Sequence, residues 1–167
     1  GDFLMIQFGH NDDWAINDTI RARGTIKGIG KDSVEIDNLI TKKHEVVHSF
    51  GWYLRKYIVE ARAKGVEVFV CSPVPFCRFE NGKVQRKAES FPFWARQVSE
   101  QTQAHFIDLH EIITKHYDKL GPEEVKKQYF TPKDNVHTNA LGAEINAQSV
   151  VKGLVRIKKS KLRKYLL

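Results

Sequence analysis

The sequence predicts an α/β protein built on a parallel sheet. Three observations carry that expectation. Apolar runs of strand length recur at 3–8, 66–71 and 104–109. They are apolar without alternation, as strands covered on both faces are. Between and after them the apolar residues switch to helical spacing.

The elements follow in order. Phe3–Phe8 reads as the first strand and stops at Gly9. Residues 13–45 are polar, contain Gly24, Gly28 and Gly30, and read as a long loop or insertion. Val46–Lys64 reads as a helix, with Phe50, Leu54, Tyr57, Ile58 and Ala61 on one face and Gly65 as its stop. Val66–Cys71 is the second strand, ended by Ser72-Pro73-Val74-Pro75. A polar connection follows, with a turn at Asn81-Gly82. Glu89–Gln103 reads as a helix that Pro92 makes start late. Ala104–Leu109 is the third strand. His110–Lys119 and Pro122–Lys127 read as short helices, the second opened by Pro122 and two glutamates. A loop, Phe130–Thr138, leads into a helix near Asn139–Val155, with Ala143, Ala147, Val150, Val151 and Leu154 on one face. Residues 1–157 are expected to form one domain and 158–167 a basic tail.

Composition narrows the class. The chain has 167 residues, 41% apolar and 28% charged. That is globular, and it excludes a disordered chain, a collagen and a disulfide-dense miniprotein. No apolar run approaches the roughly 18 residues of a membrane span. FLMIQF leads directly into polar GHND, so no signal peptide is read here. Net charge is +7, and all of that excess sits in 150–167, which carry seven basic side chains and no acid. Such a tail suits a solvated helix end; nucleic acid or anionic lipid is the other option. With no RNA-recognition, zinc-finger or helix-turn-helix signature, no nucleic-acid partner is expected. Cys71 reads as a buried thiol, and a Cys71–Cys77 bridge stays open.

Two segments carry chemistry. Asp134-Asn135-Val136-His137 sets a carboxylate three residues before a histidine, in a loop before a helix. The carboxylate can accept from one ring nitrogen and leave the other as general base. The competing reading is a plain helix start, capped by Asn135, Thr138 or Asn139. Gly9-His10-Asn11-Asp12 directly follows the first strand. In parallel α/β sheets the ligand crevice lies beyond the carboxyl ends of the strands, so Asn11 sits on that side. Its amide can donate to a developing oxyanion; the competing reading is an ordinary turn.

The chain resembles the SGNH hydrolases, a branch of the GDSL esterases, and within them the rhamnogalacturonan acetylesterases. The matching segments are GDFLMIQFGHND (1–12), YIVEARAKGVEVFVCSPVPF (57–76), FIDLHE (106–111) and DNVHTNALGAEINA (134–147). The resemblance implies a flavodoxin-like, three-layer α/β/α fold with strand order 2-1-3-4-5. It makes His137 the general base, Asp134 the carboxylate that orients it, and Asn11 the oxyanion-hole asparagine. It implies acetyl ester hydrolysis through a serine nucleophile, with no metal and no cofactor. The substrate class is acetylated plant polysaccharide or oligosaccharide, and the parent protein is expected to be secreted or periplasmic.

The departure is equally specific. The family's serine lies in a Gly-Asp-Ser motif after its first strand, and an oxyanion-hole glycine follows its second. This chain begins at the equivalent of the third, so both strands and the nucleophile are expected to be missing. Ser72 is a poor replacement. A bare apolar first strand also invites self-association. Three more residues are candidate substrate contacts: His10, Trp14 as a stacking surface for a sugar ring, and Arg78 as partner of a uronate carboxylate. Trp52 and Trp94 read as packing residues, and Asp108 as a cap. His44, His48, His105, His110 and His116 show no metal-ligand spacing.

Overall fold

A computed structural model describes residues 1–166. The chain divides into two compact units. One comprises Gly1–Pro73 with Ala88–Phe106; the other comprises Val74–Lys87 with Ile107 onward.

The first unit is built on a sheet of order β1-β4-β7: β1 Phe3–Ile6, β4 Glu67–Cys71 and β7 His105–Ile107. β1 pairs parallel with β4, Phe3 to Glu67 through Ile6 to Val70. β4 is central and fully covered from Val68 to Cys71, as its unbroken apolar run requires. β1 has the same kind of sequence but lies at the sheet edge. Only Ile6 is buried there, and Met5 is 41% exposed.

Helix α1 (Phe50–Ala63) and helix α2 (Phe91–Thr102) close the core. Phe50, Leu54 and Ile58 from α1 pack with Trp94, Ala95 and Val98 from α2 and with Val68 and Val70 of β4. Trp94 is therefore a packing residue. The helix read from Val46 in fact starts at Phe50, because Ser49 caps it by accepting from Trp52 N–H at 3.1 Å. Tyr57, placed on the buried face by its spacing, is half exposed and packs on Phe8 at 5.5 Å between ring centroids.

Residues 13–45 are not one loop. They contain β2 (Ser33–Asp37), which pairs antiparallel with β3 (His44–His48). The turn between them is fixed by buried Asn38, whose side-chain oxygen accepts from Ile40 and Thr41 N–H at 2.9 and 3.0 Å. The hairpin was hidden by its surface: β2 is almost wholly exposed and carries Glu35 between Val34 and Ile36.

In the second unit, β5 (Phe79–Glu80) and β6 (Lys83–Val84) form a hairpin on Asn81-Gly82. Both turn residues have positive φ, as a two-residue primed turn demands. Helices α3 (Leu109–Leu120), α4 (Pro122–Tyr129) and α5 (Ala140–Arg156) follow, and a 3-10 turn spans Lys161–Tyr165 within the basic tail. Asp108 caps α3 through Glu111 N–H. Buried Ile113, Tyr117, Val125, Tyr129 and Phe130 fill this core.

α5 corrects the sequence reading. Its buried side is Gly142, Ser149, Gly153 and Leu154, while Ala143, Ala147 and Val151 face solvent. Small residues let the helix come close: a Cβ on Gly153 would lie 2.3 Å from Ile107 Cγ2. Apolar periodicity does not register a contact made by absent side chains. Both cysteines are free and buried. No helix among the described residues is long and apolar enough to cross a membrane.

His116 should make stability respond to acid. Its Nε2 lies 3.0 Å from Tyr129 Oη, and burial, then Lys152 and Lys119, lowers its pKa below the ordinary imidazole value. The unfolded chain therefore binds the proton more readily, and stability falls as pH drops through about 6.5. Melting temperatures at pH 7 and pH 5 should show a loss that shrinks in His116→Gln. An unchanged pH dependence contradicts this.

Candidate active site

In the first unit the candidate residues follow β1. Gly9 has φ +129°, and a Cβ there would meet Phe91 Cβ at 2.7 Å and Pro73 Cγ at 2.9 Å. Only glycine fits this turn. It sends His10, Asn11 and Asp12 out beyond the carboxyl end of the strand. Asn11 is exposed, and its Oδ1 accepts from Arg23 Nη2 at 2.8 Å. With the carbonyl occupied by a cation, the amide is oriented and its N–H groups remain for another acceptor.

The loop that returns Arg23 is tightly closed. Thr25 N–H donates to Asp12 O at 3.1 Å and Gly24 N–H to Ala15 O at 3.0 Å. Trp14 is 45% exposed and carries the Arg21 guanidinium 4.0 Å above its ring. Asp12 lies beside a cleft of about 250 Å³ walled by Phe8, Phe50, Tyr53, Leu54 and Tyr57. Burial there raises its carboxyl pKa, against the hydrogen bond from Thr25 and backbone N–H groups.

In the second unit the loop before α5 brings Asp134 and His137 together. Asp134 Oδ2 lies 2.8 Å from His137 Nδ1. Its Oδ1 accepts from the N–H of His137 at 2.7 Å and of Val136 at 2.8 Å. These bonds, the His137 N–H first, then its ring and the Val136 N–H, hold the Asp134 carboxyl well below the usual carboxylate range. An ionised carboxylate only accepts, so Nδ1 carries a proton, and in the neutral imidazole the lone pair is then on Nε2. The His137 side chain is 75% exposed, so that lone pair is accessible.

The helix start of the competing reading is present as well: Asn139, one of its three candidates, caps α5, its Oδ1 accepting from Gly142 N–H at 3.0 Å. The segment of Arg78 meets this loop, because Cys77 N–H donates to Asn135 O at 2.9 Å. Arg78 itself lies over the Phe76 ring at 4.8 Å. Asp134, His137 and Arg78 thus belong to one unit; His10, Asn11 and Trp14 belong to the other. Arg23 was missed by the sequence reading, since nothing in a polar stretch marks a partner 12 residues away. Among the described residues, no cluster of three His, Cys, Asp or Glu is arranged to hold a metal ion.

No protein-family model matches the chain. Curated relatives do, among them two acetylesterases. The rhamnogalacturonan acetylesterase of Emericella nidulans is 26% identical over 155 residues, 93% of this chain and 61% of that protein. Rhamnogalacturonan acetylesterase RhgT of Bacillus subtilis is 27% identical over 161 residues, 95% of this chain and 58% of that protein. The chain resembles the rhamnogalacturonan acetylesterases of the SGNH/GDSL hydrolases. It spans about three-fifths of the length of these relatives.

Two solved structures share the α/β fold. The Bacillus subtilis protein YXIM superposes with a TM-score of 0.69 at 20% identity, over 96% of this chain and 38% of that one. A mutant of Axe2, an acetyl-xylooligosaccharide esterase from a Geobacillus, gives 0.55 at 18% identity, over 92% and 59%.

Proposed function

We propose that this chain carries the base and oxyanion side of a carbohydrate acetylesterase that removes acetyl groups from acetylated plant polysaccharide of the rhamnogalacturonan type. The observation that carries this reading is the Asp134–His137 pair, closed at 2.8 Å with Nε2 unoccupied by Asp134. The names of the relatives supply the substrate class. An extracellular polymer as substrate makes a secreted or periplasmic protein part of the same reading.

The mechanism follows from the roles. His137 Nε2 takes the proton of a serine hydroxyl, and the serine oxygen bonds to the acetyl carbonyl carbon. The negative oxygen of the tetrahedral intermediate accepts from Asn11. As the intermediate collapses, the bond to the sugar oxygen breaks and His137 returns the proton to it. Water, deprotonated by His137, then bonds to the acetyl carbon of the acetyl-serine; the carbon–serine oxygen bond breaks, His137 returns the proton to the serine oxygen, and acetate leaves. Asp134 holds the imidazole in the required tautomer throughout. Arg78 and Trp14 are assigned to the sugar, the first to a uronate carboxylate and the second to a ring face.

No serine of these 167 residues lies in a Gly-Asp-Ser motif. The reading therefore places the nucleophile outside them, and the uncovered edge of β1 is consistent with a neighbouring strand supplied from there. The test is acetate release from acetylated rhamnogalacturonan, by the 167-residue chain and by the protein with its in-frame upstream residues. The expected result is residual release by the first and rapid release by the second. In the second, Asn11→Ala should lower kcat about 10²–10³-fold. An unchanged kcat removes Asn11 from its role.

One observation favours a second reading, an esterase for longer acyl groups: the apolar walls of the cleft beside Asp12. Preference for longer esters over acetate would establish it. Polysaccharide binding without acetate release from either form would make the chain a binding module.

A further inference from the structure

The loop carrying Asp134 and His137 is tied at its base by main-chain bonds. Thr131 N–H donates to His137 O and Asn139 N–H to Tyr129 O, both at 2.9 Å, and Phe130 bridges to Thr138. Inside the loop lies a cation. Lys126, partly buried on α4, donates from Nζ to the carbonyl of Thr131 at 2.7 Å and to the carbonyl of Asp134. An ammonium has three donors and no acceptor, and its bonds to carbonyls are stronger than neutral ones. It binds the main chain of the residue whose carboxylate collects both N–H bonds and the imidazole. Its own backbone is held between Val125 and Tyr129, both buried.

We propose that Lys126 is the positioning residue of the Asp134–His137 pair, fixing the loop so that carboxylate and imidazole meet before any substrate arrives. Its consequence for catalysis rests on the esterase reading; its geometry does not. A lysine that merely stabilised α4 would affect melting and leave the pair untouched.

The test is NMR on the 167-residue chain. In the unmodified chain, scalar couplings across hydrogen bonds are expected from Lys126 Nζ to the carbonyl carbons of Thr131 and Asp134. In Lys126→Met, the Asp134 carboxyl should titrate about one pH unit higher, and the hydrogen-bonded Nδ1 proton of His137 should lose its downfield resonance. Lys126→Arg, which can reach the same carbonyls, should restore both signals. The proposal is overturned if folded Lys126→Met titrates Asp134 as the unmodified chain does. Should that variant not fold, absence of the couplings in the unmodified chain overturns it. Failure of the esterase reading is distinct: acetate is not released, yet Asp134 still titrates according to residue 126.

Discussion

His137→Ala should lower kcat for acetate release by about 10⁴-fold or more, with KM little changed. The expectation rests on the proposed mechanism and applies to the protein translated with its in-frame upstream residues. In the proposed mechanism the imidazole both takes the serine proton and returns it to the sugar oxygen, so no step would keep its rate without it. Its side chain is 75% exposed and donates only to Asp134, while the turn is held by main-chain N–H groups that alanine retains. Stability should therefore move by less than about 0.5 kcal/mol. Asp134→Asn tests the same device from the other side. The amide can present its NH₂ to Nδ1 and stabilise the wrong tautomer, with a loss of about 10⁴-fold. Kinetics and unfolding measured together decide it. A kcat within tenfold of the parent would refute the base assignment.

Gly142→Ala should destabilise the protein by about 3 kcal/mol, the upper range of overpacking. Two effects oppose each other. Alanine in a helix is favoured over glycine by about 1 kcal/mol. Here, however, the new Cβ would lie 2.2 Å from Tyr129 O and 2.9 Å from Thr138 Cβ. The obstacle is backbone, and it cannot yield easily. Tyr129 O also accepts from Asn139 N–H, its ring stacks on Tyr117 at 5.5 Å, and its hydroxyl meets His116. Steric exclusion wins, and α5 must move away from the chain that leads out of His137. Urea unfolding should show a lower midpoint, accompanied by a fall in kcat. A midpoint equal to or above the parent would show that propensity prevails.

Much of this was legible because it is local. Strands β4 and β7 and helices α1 to α4 announce themselves by apolar runs, period and capping residues such as Asp108 and Pro122. The Asp134–His137 bond was readable because three residues in one turn determine it. What stayed hidden depends on groups that pattern does not weigh. The β2–β3 hairpin is marked only by the short alternation Ser33-Val34-Glu35-Ile36-Asp37 within a polar, glycine-containing stretch; its organiser is buried Asn38. α5 packs through Gly142, Ser149 and Gly153, and of its visible apolar stripe only Leu154 is buried. Arg23 and Lys126 act on partners that only the folded loops bring near. Charged residues in polar stretches carry no sequence mark of such a duty.

The central claim is that His137 activates a serine lying outside these 167 residues. Labelling with a fluorophosphonate, followed by peptide mapping, tests it most directly. The protein translated from its in-frame upstream residues should take one label per chain, on a serine preceding β1, and the His137→Ala variant should take essentially none. A label on Ser72 or another serine within these residues, or labelling indifferent to His137→Ala, would contradict the account.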